Sequence, residues 1–288
     1  MLLQALVSGV VLGSLFALLA VGLTLVYGVM EVPNFAQAGV ITLAAYVMLW
    51  LNQTIGWPFW LAVAGGVLAG GVLSVLTERF AYRFVRTRPL AAPVVALGLL
   101  LVLDNSALEL WGGDHVSLSP PYAGDVLYLG PTTLPAVGAA MILATVVALL
   151  ALHLLLKHTR TGRAIRAVSQ NPEAAAILGI RLERQYVIAF FISGILAGVA
   201  AFASGPMYAV FPYMAEEVLL NAFVVVILGG LGNVWGAVAG GLLLGILESL
   251  SAVYLSAAYQ TTVGFTVLLL IIVLRPAGLF ATGARRVA

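Results

Sequence analysis

Side chains able to do chemistry are few in this 288-residue chain, and their spacing excludes most reactions before it suggests any. There is no cysteine, so disulfides and thiolate metal sites are out. No two of the histidines His115, His153 and His158 have metal-ligand spacing, and no metal is expected. No Ser–His pair, paired carboxylates or Gly-rich phosphate loop is legible, so no catalytic residue is expected and the chain is read as a non-enzyme. What remains is a short list. Glu248 stands alone inside a long apolar run, between Gly245 and Ser249. An ionisable group there costs roughly 2.5 to 3.5 kcal/mol on insertion scales and faces a bundle interior or a water-filled cavity. Glu248 is therefore read first as a structural or gating residue and second as a ligand contact. Asn34 and Gln37 follow a proline break, and Asn233 follows a run of glycines. Amides at such places line a polar passage or cap a broken helix.

The other polar feature is the run Lys157 to Arg184, which holds six of the thirteen Lys and Arg residues. Within it, Arg163 and Arg166 are three apart and share one face of a short helix over Gly162 to Val168. A second short helix is written out in full. Asn171 suits its N-cap, Pro172 its first position, Glu173 its positive dipole end, and Gly179 the left-handed residue that closes it. Two turns do not persist alone in water, so the pair rests on something. It could lie on the ends of its own long helices with the arginines toward lipid headgroups. The small apolar surface Ala174 to Leu178 is better suited to a groove on another protein.

The elements that position these residues follow from composition. The chain is 62% hydrophobic and 8% charged, outside the range of ordinary globular domains, and its apolar runs reach the roughly 20 residues that span a bilayer. The expected fold is all-α, a polytopic transmembrane helical bundle forming one domain over 1–288; a β-barrel would show short alternating segments instead. Nine apolar segments are countable, with eight and ten spans as the alternatives. All basic residues fall in three places: Arg79 to Arg88, the 157–184 loop, and Arg275 with Arg285 and Arg286. The positive-inside rule puts these on the cytoplasmic side, the C-terminus with them and the N-terminus outside. No basic patch is interleaved with aromatics, so nucleic acid is not an expected partner; the lipid bilayer is. With no Lys or Arg ahead of Leu2 to Gly28, that run is expected to be the first span rather than a cleaved signal peptide. The interruptions Pro33 to Gly39 and Gly229 to Asn233 predict discontinuous helices and an internal repeat around a transport pathway.

Three stretches carry a resemblance. They are Gly13-Ser14 through Leu23 to Gly28 and on to Asn34-Phe35-Ala36; Arg163 to Ala167 through Asn171-Pro172 to Ala175 and Leu178-Gly179-Ile180; and Leu228 to Gly232 through Gly245-Ile246. Together they resemble, in one register over nearly the whole chain, the H-type permease subunits of bacterial ATP-binding cassette importers for branched-chain amino acids. The resemblance implies a heteromeric inner-membrane transporter: a second permease subunit, two ATPase subunits that bind the ATP, and an external solute-binding protein. It places ATPase docking on Gly162, Arg163, Arg166, Asn171, Pro172, Ala175, Gly179 and Ile180. Many such permeases follow Asn-Phe-Ala with His-Gly, whereas Gln37 and Ala38 stand here. Other amino acids, small amides and urea-like solutes therefore stay open as cargo. An ion-coupled secondary transporter is the reading from another class; it predicts more intramembrane ionisable groups than Glu248.

Overall fold

The computed structural model describes residues 1–86, 88, 90–130, 132–275 and 278–280; Arg285 and Arg286 lie outside them. Each of the nine apolar segments folds into a helix. In chain order these are α1 (Leu2–Met30), α2 (Gln37–Leu49), α3 (Phe59–Thr77), α5 (Ala92–Trp111), α6 (Ala136–His158), α9 (Leu182–Tyr208), α10 (Glu216–Gly229), α11 (Val234–Tyr254) and α12 (Gln260–Leu274). A π-helical turn, Trp50–Thr54, prolongs α2; another, Glu78–Tyr82, leads from α3 into the short α4 (Arg83–Val85). Among the described residues seven helices are long and apolar enough to cross a membrane, with α3 and α4 counted as one and α12 counted with the turn Ala257–Tyr259. The helices α2 and α10 are shorter.

One departure from an all-helical chain lies in the α5–α6 connection. There β1 (Val126–Leu129) pairs antiparallel with β2 (Thr132–Pro135) across Gly130, whose φ of 65° permits the tight turn. Branched and aromatic side chains on these short strands favour the pleat over a helix.

The helix α1 is apolar all round and buried over most of its length, the sign of a core helix. It runs antiparallel to α11 along a seam of small residues: a β-carbon at Gly9 would stand 2.7 Å from the Ile246 backbone, and one at Gly13 2.8 Å from that of Leu242. A second seam joins α3 to α9, where a β-carbon at Gly70 would come within 2.6 Å of the Gly194 carbonyl and one at Gly198 within 2.6 Å of the Val67 backbone. Lipid tails are as apolar as leucine, so backbones that approach this closely gain van der Waals contact that bulkier helices forgo. Around these four helices, α5, α6 and α12 form the exposed perimeter.

The two ends of the bundle differ. At one end Arg86 donates to Glu183 at 2.9 Å, which joins the first basic segment to the start of α9, and Leu279 donates its amide to Leu228 at 2.8 Å. At the other, Val116 and Val210 pair as an isolated bridge, Gln4 binds the Thr133 backbone, and Trp60 stacks on Tyr122. The arginines of residues 79–88 and of the long loop thus share one end.

Candidate functional site

The chain turns sharply where α1 stops. Glu31 takes the left-handed conformation at φ 57° and donates its amide to Tyr27, and Pro33 bars a return to helix until Gln37. The break is dry and polar at once. Asn34 is buried and accepts a 2.8 Å hydrogen bond from the Tyr82 hydroxyl, itself wholly buried and packed on Phe190 at 5.0 Å. Tyr82 ends the π turn, whose wider spacing resets the direction of the side chains that follow. Gln37 begins α2, also buried; the Ser193 hydroxyl of α9 lies 3.0 Å from its Oε1 and 3.1 Å from the Gly22 carbonyl. Gln37 Nε2 has no partner among the described residues and presses on Gly22, where any β-carbon would collide with it. An unsatisfied buried amide donor costs about 1 to 3 kcal/mol, and this one is packed against Gly22, away from solvent.

The second interruption folds differently. Gly230 and Gly232 adopt φ of 90° and 83°, and Gly232 touches Gly28, so both interruptions meet at the arginine-bearing end. Asn233 there is a cap: its Oδ1 accepts from the Gly236 amide at 3.1 Å, while Nδ2 donates to the Phe280 carbonyl at 2.6 Å. Of the two roles open to Asn233, helix capping is the one its hydrogen bonds fill.

Glu248 is buried against α12, where Gln260 Nε2 lies 3.4 Å from its Oε2 and Gly264 leaves room for Oε1. Its neighbour Ser249 binds the Ala5 carbonyl, whereas Gln37 lies at the level of Gly22. The two are therefore about 25 Å apart along α1. Asn34 and Gln37 come together; Asn233 and Glu248 join neither them nor each other. Sequence reasoning missed Tyr82 and Ser193, which complete the first break, and Asp104 on α5. The structure buries Asp104, and neither of its carboxylate oxygens has a hydrogen-bond partner among the described residues.

In the long loop, α7 (Arg160–Gln170) and α8 (Pro172–Ile177) form a bent pair. Thr159 starts α7 two residues ahead of the expected helix by accepting from the Gly162 amide at 2.9 Å. Gly162 lies so close to the Leu155 and Leu156 backbone that a β-carbon has no room. Asn171 Oδ1 caps α8 through the Ala174 amide at 2.9 Å, Pro172 opens it, and Gly179 at φ 81° closes it while Ile180 donates its amide to Ala175. Gly162, Ile165, Val168 and Ala175 face inward, which seats the pair on the bundle. Arg163 and Arg166 face out, and Ile177 and Leu178 project at 86% and 80% exposure. The apolar knob thus comprises Ile177 and Leu178, with Ala175 turned to the protein's own side.

A helical bundle with membrane-length apolar helices, a buried polar helix break and a capped helical pair projecting at one end is the architecture of a multi-spanning membrane protein. The sequence model of the family described as "Branched-chain amino acid transport system / permease component" matches residues 5–274, and the chain belongs to that family. It is 34% identical to the Escherichia coli K12 protein named high-affinity branched-chain amino acid transport system permease protein LivH, covering 96% of this chain and 94% of that one. The Salmonella typhimurium LivH is 33% identical over the same shares. The corresponding protein BraD of Pseudomonas aeruginosa is 29% identical, covering 96% and 95%.

Proposed function

We propose that this chain is the membrane permease subunit of an ATP-binding cassette importer that moves branched-chain amino acids across the bacterial inner membrane, driven by separate ATPase subunits. The observation that carries this reading is the α7–α8 pair: seated on the bundle by its inward residues, it presents Ile177, Leu178, Arg163 and Arg166 to a partner. Family membership supplies the transport class. In this reading a second permease subunit completes the passage, two ATPases grip loops of this kind, and an external solute-binding protein delivers the cargo. ATP is bound and hydrolysed on the partners.

The finer architecture belongs to the same proposal. All nine apolar helices cross the bilayer, with the N-terminus outside and the C-terminus in the cytoplasm; α2 with its π turn and α10 are the two short crossings. The chain is an inverted repeat in which α1, α2 and α3 correspond to α9, α10 and α11. Three observations support it. The two long helices α1 and α9 end at Glu31 and Ala209, the non-glycine residues of positive φ among the described residues. Each is followed by a break and a short helix. The seams match: Gly70 and Ser74 of α3 meet α9 as Gly245 and Ser249 of α11 meet α1. The repeat thus pairs the Pro33 break with the 209–215 break, rather than with Gly229 to Asn233.

Rocking of one repeat against the other, transmitted from the docked ATPase through α7 and α8, alternates access around the first break. Gln37 has its amide packed against Gly22, and in this reading the rocking motion frees it for a substrate carboxylate. Uptake of radiolabelled leucine, isoleucine and valine beside other amino acids, amides and urea, by the complete complex in proteoliposomes, tests the cargo. Leucine-class uptake that needs internal ATP is expected; uptake of urea or amides alone would overturn the cargo, and ATP-independent uptake driven by an ion gradient would overturn the class.

A further inference from the structure

We propose that the arginine-bearing end holds a binding site for the phosphate headgroup of an anionic phospholipid, in the groove between the end of α3 and the start of α9. The groove encloses about 720 Å³. Arg79, Arg83 and Arg86 line one side of it, and Arg181 and Arg184 the other. Two carboxylates share the space. Glu183 is engaged by Arg86 at 2.9 Å and Arg83 at 4.0 Å, and Glu78 lies 3.8 Å from Arg86. Arg181 and Arg184 form no ion pair with a carboxylate among the described residues, and Arg79 feels Glu78 only at longer range than Arg86 does. Guanidinium groups converging on one groove repel one another until an anion joins them, and their planar forks match phosphate oxygens.

The surroundings favour a lipid phosphate over a soluble one. The groove is floored by Leu182, Val187 and Ile188, and the latter two stand inside the apolar length of α9. Arg79 lies about 9 Å before the end of the continuous helix Phe59–Val85, at headgroup depth rather than in the cytoplasm. Beside it Phe80 and Phe84, four apart and so on one face, are exposed at 74% and 69%, a surface for acyl chains next to one for phosphate. Basic pockets between spans at this leaflet are built to take anionic headgroups. The inference rests on the proposed sidedness but is independent of the cargo.

The test is native mass spectrometry of the intact transporter complex with phosphatidylglycerol or phosphatidylcholine of the same chain composition. Wild type is expected to retain phosphatidylglycerol preferentially, and Arg79→Ala with Arg184→Ala to weaken that retention by roughly fivefold per arginine. The pair Arg79→Lys and Arg184→Lys is expected to keep most of it. Should the alanine pair not assemble, Arg79→Gln alone is read the same way. Equal retention of both lipids, or phosphatidylglycerol retained undiminished by the alanine pair, would overturn the proposal. Displacement of the lipid by inorganic phosphate at matched concentration would overturn the lipid as the source. Loss of the ATPase subunits with lipid retained would assign these arginines to a protein contact instead.

Discussion

Two interruptions of the apolar pattern, Pro33 to Gly39 and Gly229 to Asn233, look alike on paper and fold into opposite things. The first closes on itself: Asn34 and Gln37 are buried, held by Tyr82 and Ser193 from distant segments, and one amide donor is left without a partner among the described residues. The second stays open at the arginine-bearing end, where Asn233 spends both amide atoms on a cap and a tail contact. Both are broken helices with an amide at the break. Long-range partners, more than residue type, separate a pathway candidate from a cap.

Three substitutions would break or sharpen this contrast. The largest effect is expected from Gly22→Leu, which drives a side chain into Gln37 and parts it from Ser193. Overpacking and an unsatisfied amide together cost more than about 3 kcal/mol, and a marked fall in the yield and thermal transition of folded protein measures it. Next comes Asn34→Leu, which strips the buried Tyr82 hydroxyl of its acceptor. A loss of about 1 to 3 kcal/mol by denaturant titration, with reduced uptake in proteoliposomes, is expected. The smallest is Asn233→Ala, about 1 kcal/mol for a lost N-cap, with uptake by the folded protein unchanged. Equal transport defects in Asn34→Leu and Asn233→Ala would erase the distinction between the two breaks.

The same contrast explains how far the fold and the site could be read from the sequence. The α7–α8 helical pair was legible almost to the residue, because Asn171, Pro172 and Gly179 act within one or two turns and their capping chemistry is local. The nine apolar helices were legible as apolar runs, and seven of them, among the described residues, reach the length that spans a bilayer. The direction of Ala175, the burial of Asp104 and the partners Tyr82 and Ser193 depend on which helices become neighbours. Tyr82 depends further on a π turn that nothing in Glu78 to Tyr82 announces. The β1–β2 hairpin was missed because its strands are too short for a clear alternating pattern. Helical pairing of the seams was half visible, since Gly66, Gly70 and Ser74 repeat the spacing of Gly241, Gly245 and Ser249, but spacing alone does not say which helix lies opposite.

The central claim is that the projecting α7–α8 pair is where a separate motor takes hold. Ile177 and Leu178 are so exposed that charge there leaves the bundle intact. Co-purification of the ATPase subunits with Ile177→Glu/Leu178→Glu, alongside the thermal transition of the permease, measures this most directly. The account predicts that the ATPase is lost while the transition stays at the wild-type temperature; full retention of the ATPase by the doubly charged variant would contradict it.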